Sequence, residues 1–137
     1  MRLRAICKSK IHRATVTGAN IDYIGSIAID EELLRLSDIA AGEKVGVWNL
    51  NNGERIETYA LPAAAGSGDV ILNGAAARKF REKDKIIVVA FVLTDEPVEP
   101  RMILVDERNR YVEYLADNHD PGEGAMDPAA AAGETGS

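Results

Sequence analysis

Lys85-Ile86-Ile87-Val88-Val89-Ala90-Phe91-Val92-Leu93 is the stretch whose reading decides the fold. Its apolar run, Ile86 to Leu93, is eight residues long, where a membrane-crossing helix needs about 20. A continuous apolar run of this length, rich in β-branched residues, predicts a strand buried on both faces. Working back towards the N-terminus, Gly74 to Phe80 has Ala-rich helical propensity, Val70 to Leu72 reads as a brief strand, and Gly66-Ser67-Gly68 breaks the chain. Lys44 to Leu50 and Glu54 to Leu61 flank Asn51-Asn52-Gly53, whose Asn and Gly tolerate positive φ, so the pair reads as a hairpin. Asp30 before Glu31 and Glu32 is an N-cap with acids in the first turn, and Leu33, Leu34 and Leu36 give one short helix its apolar side. Ile11 to Thr17 and Tyr23 to Ile29 read as paired strands around a polar Gly-Ala-Asn break, and Arg101 to Val105 and Arg110 to Leu115 add strands beyond the central run. Many short strands, two small helices, no βαβ rhythm and no internal repeat point to a small closed barrel or sandwich with helical elaborations.

The chain has 137 residues, 46% hydrophobic and 28% charged, an ordinary globular balance for one domain and too little chain for a multidomain enzyme. The net charge is −6, but Asp117 to Ser137 holds five acids and no Lys or Arg, which leaves −1 for residues 1–116. That tail, with Pro121, Pro128 and the run Ala129 to Ala132, has too little bulky apolar surface to offset its ordering entropy and is expected to be disordered. An acidic chain with 5% aromatic residues lacks the basic stripe and stacking platforms of a nucleic-acid binder. The cluster from Arg2 to Arg13 reads as a solvated cationic first strand. No apolar signal region follows it, so neither secretion nor a membrane is expected, and the cytoplasm is the expected compartment. Cys7 is the sole cysteine, which excludes an internal disulfide and a thiolate zinc site.

The residues alone leave the chemistry open. There is no Gly-rich phosphate loop in a strand-to-helix context, and His12 and His119 have no metal-ligand spacing, so no metal is expected. No nucleophile elbow accompanies His12. Lys10 and His12 are two apart and share a strand face, as do Arg55, Glu57 and Tyr59, while Thr58 points the other way unless a bulge turns it. Two cations thereby become able to converge. The bland alternative is that a strand Lys or Arg is a rim charge and a strand Tyr is half-buried packing.

Several blocks, in order and spacing, narrow this. Lys8-Ser9-Lys10-Ile11-His12-Arg13-Ala14-Thr15-Val16-Thr17, Tyr23-Ile24-Gly25-Ser26, Trp48-Asn49, Asn52-Gly53, Arg55, Thr58-Tyr59-Ala60, Gly66-Ser67 and Asn73-Gly74-Ala75-Ala76-Ala77 resemble the bacterial aspartate 1-decarboxylase family over roughly residues 1 to 105. A lone Gly-Ser is worthless as a signal, as the second one at Gly66-Ser67 shows; the agreement of separate motifs is what is specific. The resemblance implies a mainly β fold, a six-stranded double-psi β-barrel with short helices over residues 1–116. It also implies a homotetramer with active sites between subunits, and a covalent pyruvoyl cofactor made from Ser26.

The chemistry gives those residues a reason. Removing the α-carboxylate of an amino acid leaves electrons that no ordinary side chain accepts, so an electron sink is required. The resemblance implies that Ser26 attacks the Gly25 carbonyl, that the chain is cleaved between 25 and 26, and that Ser26 becomes a pyruvoyl group able to form a Schiff base with the substrate. Thr58 would stabilise the oxyanion, Asn73 would help hold the bond, and Tyr59 would be the proton donor, a phenol being protonated at neutral pH. Arg55 suits the α-carboxylate of L-aspartate in bidentate fashion and Lys10 its side-chain carboxylate. His12, Tyr23, Trp48, Gly74, Ala75 and Ala76 would be pocket walls or backbone contacts. The implied product is β-alanine, the pantothenate and coenzyme A precursor. The chain departs from many relatives at Asp22, Ala64, Ala65 and Arg78, none of which touches the implied reacting atoms but which leave the rate of self-cleavage, and the need for an accessory maturation protein, open. Two alternatives stand beside this expectation: a non-catalytic β-barrel binding module that stays uncleaved, and the same chemistry on glutamate, because Lys10 fixes a charge and not a chain length.

Overall fold

The computed structural model describes residues 1–115, so the acidic tail and the expected domain boundary at 116 lie outside the described residues. Nine strands form one mixed hydrogen-bonded order: β1 Arg4–Thr15, β2 Gly18–Asn20, β3 Ser26–Asp30, β4 Lys44–Asn49, β5 Arg55–Ala63, β6 Val70–Asn73, β7 Lys85–Thr94, β8 Arg101–Val105 and β9 Tyr111–Tyr114. Helix α1, Glu31–Ser37, and a 3₁₀ helix, Gly74–Lys79, interrupt them. The mainly β class with short helices is as expected, with nine strands in the sheet where six barrel strands were anticipated.

The strand order is β2-β6-β3-β5-β4-β7-β1-β8-β9. In a flat sheet β2 and β1 would stand six strand steps apart, about 29 Å. Yet Thr15 and Gly18, which end β1 and begin β2, are three residues apart and at most about 11 Å from each other. The sheet is therefore curled rather than flat, the end of β1 lying close to the start of β2. The link between them continues the neighbouring pairings: Val16 N donates to Asp84 O at 2.9 Å beside β7, and Thr17 N to Val70 O at 2.8 Å on β6.

The pleat sorts side chains into two faces. Ile56, Val47, Val88, Ile11 and Ile103 are directly opposite one another across β5, β4, β7, β1 and β8, and they form a core row. Each fully buried aliphatic side chain of this kind contributes about 1.5–3 kcal/mol. The other face carries Arg55, Trp48, Ile87 and His12 in one row, and Glu57, Gly46, Val89 and Lys10 in the next. The central apolar run is buried on both faces from Ile86 to Ala90, after which Phe91 and Leu93 turn out to solvent.

Local signals worked where a side chain closes its own backbone. The Asp30 carboxylate accepts from Glu32 N at 2.8 Å and caps α1, and Gly53 takes φ +79 in the hairpin between β4 and β5. Two expectations need correction. Tyr23 to Ile29 is not one strand: Asn20 Oδ1 accepts from Asp22 N at 3.1 Å and bends the chain, so β3 begins only at Ser26. The Gly-Ala-Asn segment read as a break is itself strand β2, because its backbone pairs in parallel with Ile71 to Asn73.

Candidate active site

The Gly25-Ser26 bond lies where a loop becomes a strand. Tyr23 and Ile24 are exposed, while Ser26, the first residue of β3, is 1% exposed. Asn73 is its register partner on β6 and donates from Nδ2 to Ser26 Oγ at 3.4 Å. The Asn73 Oδ1 is buried with no hydrogen-bond partner among the described residues, an acceptor left open beside Ser26.

Gly74 holds the other side of the bond. It has φ +71, and a Cβ added there would stand 2.5 Å from Gly25 Cα, 2.6 Å from Gly25 N and 3.0 Å from Tyr23 O. Bare backbone is required on steric and conformational grounds alike. Thr58, Gly25, Ala75, Ala76 and Lys79 line one cleft of about 320 Å³. Glu57 reaches the rim of the same cleft, while the unbroken β4–β5 register puts Thr58 on the opposite face of β5 from Arg55 and Tyr59.

Tyr59 lies just before the parallel β3–β5 pairing, which begins at Ile27 and Ala60, the residues that follow Ser26 and Tyr59. Tyr59 faces Lys44 on β4. On the other side of β3, Asn20, Asn73 and Ser26 form a row across β2, β6 and β3.

A second, larger cleft of about 610 Å³ lies farther down that face, lined by Lys44, Trp48, Arg55, Glu57, Phe91 and Leu93 among others. The Arg55 guanidinium stacks on Trp48 with Cζ 4.1 Å from the ring centre, which fixes its plane. Lys44 Nζ pairs with Glu57 Oε1 at 3.3 Å, an exposed ion pair absent from the sequence expectations. Lys10 and His12 share the outer face but are not among the residues lining this cleft, although β1 reaches it through Ala5 and Lys10 lies opposite its lining residue Val89; β1 is three strand steps from β5, about 14 Å. No cluster of His, Cys, Asp or Glu able to hold a metal ion occurs among the described residues.

Comparison with known proteins identifies the family. A family model described as Aspartate decarboxylase matches residues 1–112. The chain belongs to the aspartate decarboxylase family. An aspartate 1-decarboxylase of Desulfitobacterium hafniense (strain DSM 10664 / DCB-2) is 54% identical over 113 residues, covering 80% of this chain and 89% of the relative. That of Carboxydothermus hydrogenoformans is 53% identical over 109 residues, 77% of this chain and 86% of its own. That of Caldicellulosiruptor bescii is 51% identical over 122 residues, 86% and 94%. Within this aspartate decarboxylase scaffold, sequence reasoning missed Asn20 and the Lys44–Glu57 pair. Asn20 had a usable signal, an Asn two residues before the turn amide it captures, but it was absorbed into a polar break.

Proposed function

We propose that this chain converts L-aspartate to β-alanine and CO2, a step that supplies pantothenate and coenzyme A biosynthesis, with a pyruvoyl group made from its own Ser26. The observation that carries the proposal is the buried Ser26 hydroxyl held by Asn73 next to a Gly25 backbone that Gly74 leaves room for. The family match disfavours the alternative of a non-catalytic module.

The residues around the bond fit the formation of that group. Ser26 Oγ adds to the Gly25 carbonyl carbon, the Gly25–Ser26 C–N bond breaks, and the hydroxyl proton passes to the Ser26 nitrogen, leaving an ester. The developing oxyanion lies on the Gly25 side, where Thr58 lines the cleft. Loss of the Ser26 Cα proton then expels the Gly25 carboxylate, and water replaces the freed nitrogen, which leaves as ammonia. Residues 1–25 and 26–137 become separate chains.

A ketone at that position supplies the electron sink for decarboxylation. The chain's own residues do the rest. Arg55, flattened against Trp48, presents its two-pronged face to the α-carboxylate. Tyr59, one residue before the start of the β3–β5 pairing as Ser26 is, supplies a phenolic proton to the α-carbon. Lys10 takes the side-chain carboxylate. We read the assembly as a homotetramer in which a neighbouring copy completes each site. His12, Tyr23, Ala75 and Ala76 serve as walls.

Incubation with L-aspartate followed by amino-acid analysis and borohydride reduction tests the function. β-Alanine should appear, and reduction should fix substrate-derived mass to the 26–137 fragment. Absence of both from fully cleaved protein would refute it.

A further inference from the structure

We infer that Asn20 is a positioning residue for self-cleavage: its side chain folds the loop that delivers Gly25 to Ser26 Oγ. The inference rests on the self-cleavage reading above and adds a residue to it.

Loop 21–25 is short, and each end is held by a different device. At its start, Asn20 Oδ1 accepts from Asp22 N at 3.1 Å and Asn20 O from Tyr23 N at 3.5 Å, which turns the chain back over β2. At its end, Gly25 rests against Gly74, with no room for a single added carbon. The two devices share one base: Asn20 pairs with Asn73, Asn73 pairs with Ser26, and Gly74 follows Asn73. The start of the loop, the hydroxyl and the stop against Gly25 are thus referred to the same strand, β6. Between its ends the loop has little to hold it, since Tyr23 is 64% and Ile24 83% exposed. An exposed loop samples many states, and attack on a carbonyl needs the reacting atoms held near about 3–3.5 Å with aligned orbitals. The Asn20 side chain removes part of that freedom just upstream of the reacting atoms.

The donor here is the backbone of residue 22, so the side chain there is free to vary. The bond also separates Asn20 from a merely polar surface position: an acceptor one atom beyond Cγ is required, as in Asn or Asp, while Gln carries it one methylene too far.

The test follows cleavage of the full chain, freshly purified and uncleaved, by intact mass over time. Asn20→Asp should cleave at the wild-type rate, whereas Asn20→Ala and Asn20→Gln should be about five- to tenfold slower, the factor that one lost hydrogen bond corresponds to. In a Ser26→Ala background, which cannot react, the same substitutions should leave the thermal midpoint within about 3 °C of the parent, as for an exposed hydrogen bond. Asn20→Gln keeps the amide and adds only one methylene at a partly exposed position, so it decides the matter should Asn20→Ala fail to fold. Wild-type cleavage with undiminished cleavage of Asn20→Gln, or with Asn20→Asp as slow as Asn20→Gln, would overturn the inference. A wild-type chain that stays intact would instead overturn the self-cleavage reading beneath it.

Discussion

Gly74 is the residue least open to change around the scissile bond. Its φ of +71 costs an L-residue about 1–2 kcal/mol, and any Cβ would press on Gly25 backbone at 2.5 Å, where no flexible side chain can give way. Gly74→Ala should therefore slow cleavage more than Asn20→Gln does, read as the fraction of chain cut at a fixed time. Thr58→Ala should stall cleavage by about a hundredfold or more while leaving the fold intact, as circular dichroism would show. Asp22→His should change neither rate nor stability. What was legible at this scale was residue type in motif: Ser26, Asn73, Thr58 and Tyr59 are recognisable from their blocks; Asn73 bonds Ser26, and Thr58 shares a cleft with Gly25. The reason for Gly74 was not, because its contact with Gly25 joins segments far apart in sequence and depends on how β6 meets β3.

At the scale of elements, the turn between β8 and β9 shows how a polar residue replaces missing backbone pairing. Asn109, buried and at φ +61, accepts from Thr15 N at 2.7 Å and donates to Thr15 O at 2.9 Å and Gly68 O at 2.8 Å. It ties the end of β1 to the loop leading into β6, hence to Asn73. Asn109→Ala should cost about 2–4 kcal/mol in chemical denaturation, since several buried partners lose their bonds together. Asp106 builds that turn: amides of Arg110 and Arg108 donate to its carboxylate and hold it below the usual carboxylate range. A depressed folded value stabilises above the ordinary value near about 3.9 and is lost as pH falls through the folded value. Asp106→Asn should make stability less dependent on pH below about 4, measured by thermal melts across the acid range. The strand around Tyr111–Tyr114 and the cap at Asp30 were legible because local chemistry sets them. The split of Tyr23–Ile29 was missed because strand periodicity outweighed a single Asx turn.

Across the whole molecule, strand alternation puts Tyr59 and Arg55 on one face of β5, and the strand order leaves Lys10 three strands from Arg55. The alternation of β5 was read correctly, but which residues face each other across four other strands is a property of register that no local pattern contains. If neighbouring copies complete the site, Lys10→Ala and Arg55→Ala proteins, each inactive alone, should regain part of the activity when refolded together; separately refolded and then mixed, they should not. All of this depends on one covalent event. Intact-mass analysis of the purified full chain measures it most directly: the account predicts two species ending at Gly25 and beginning at a serine converted to its keto form, and a single 137-residue chain with an unmodified Ser26 after prolonged incubation would contradict it.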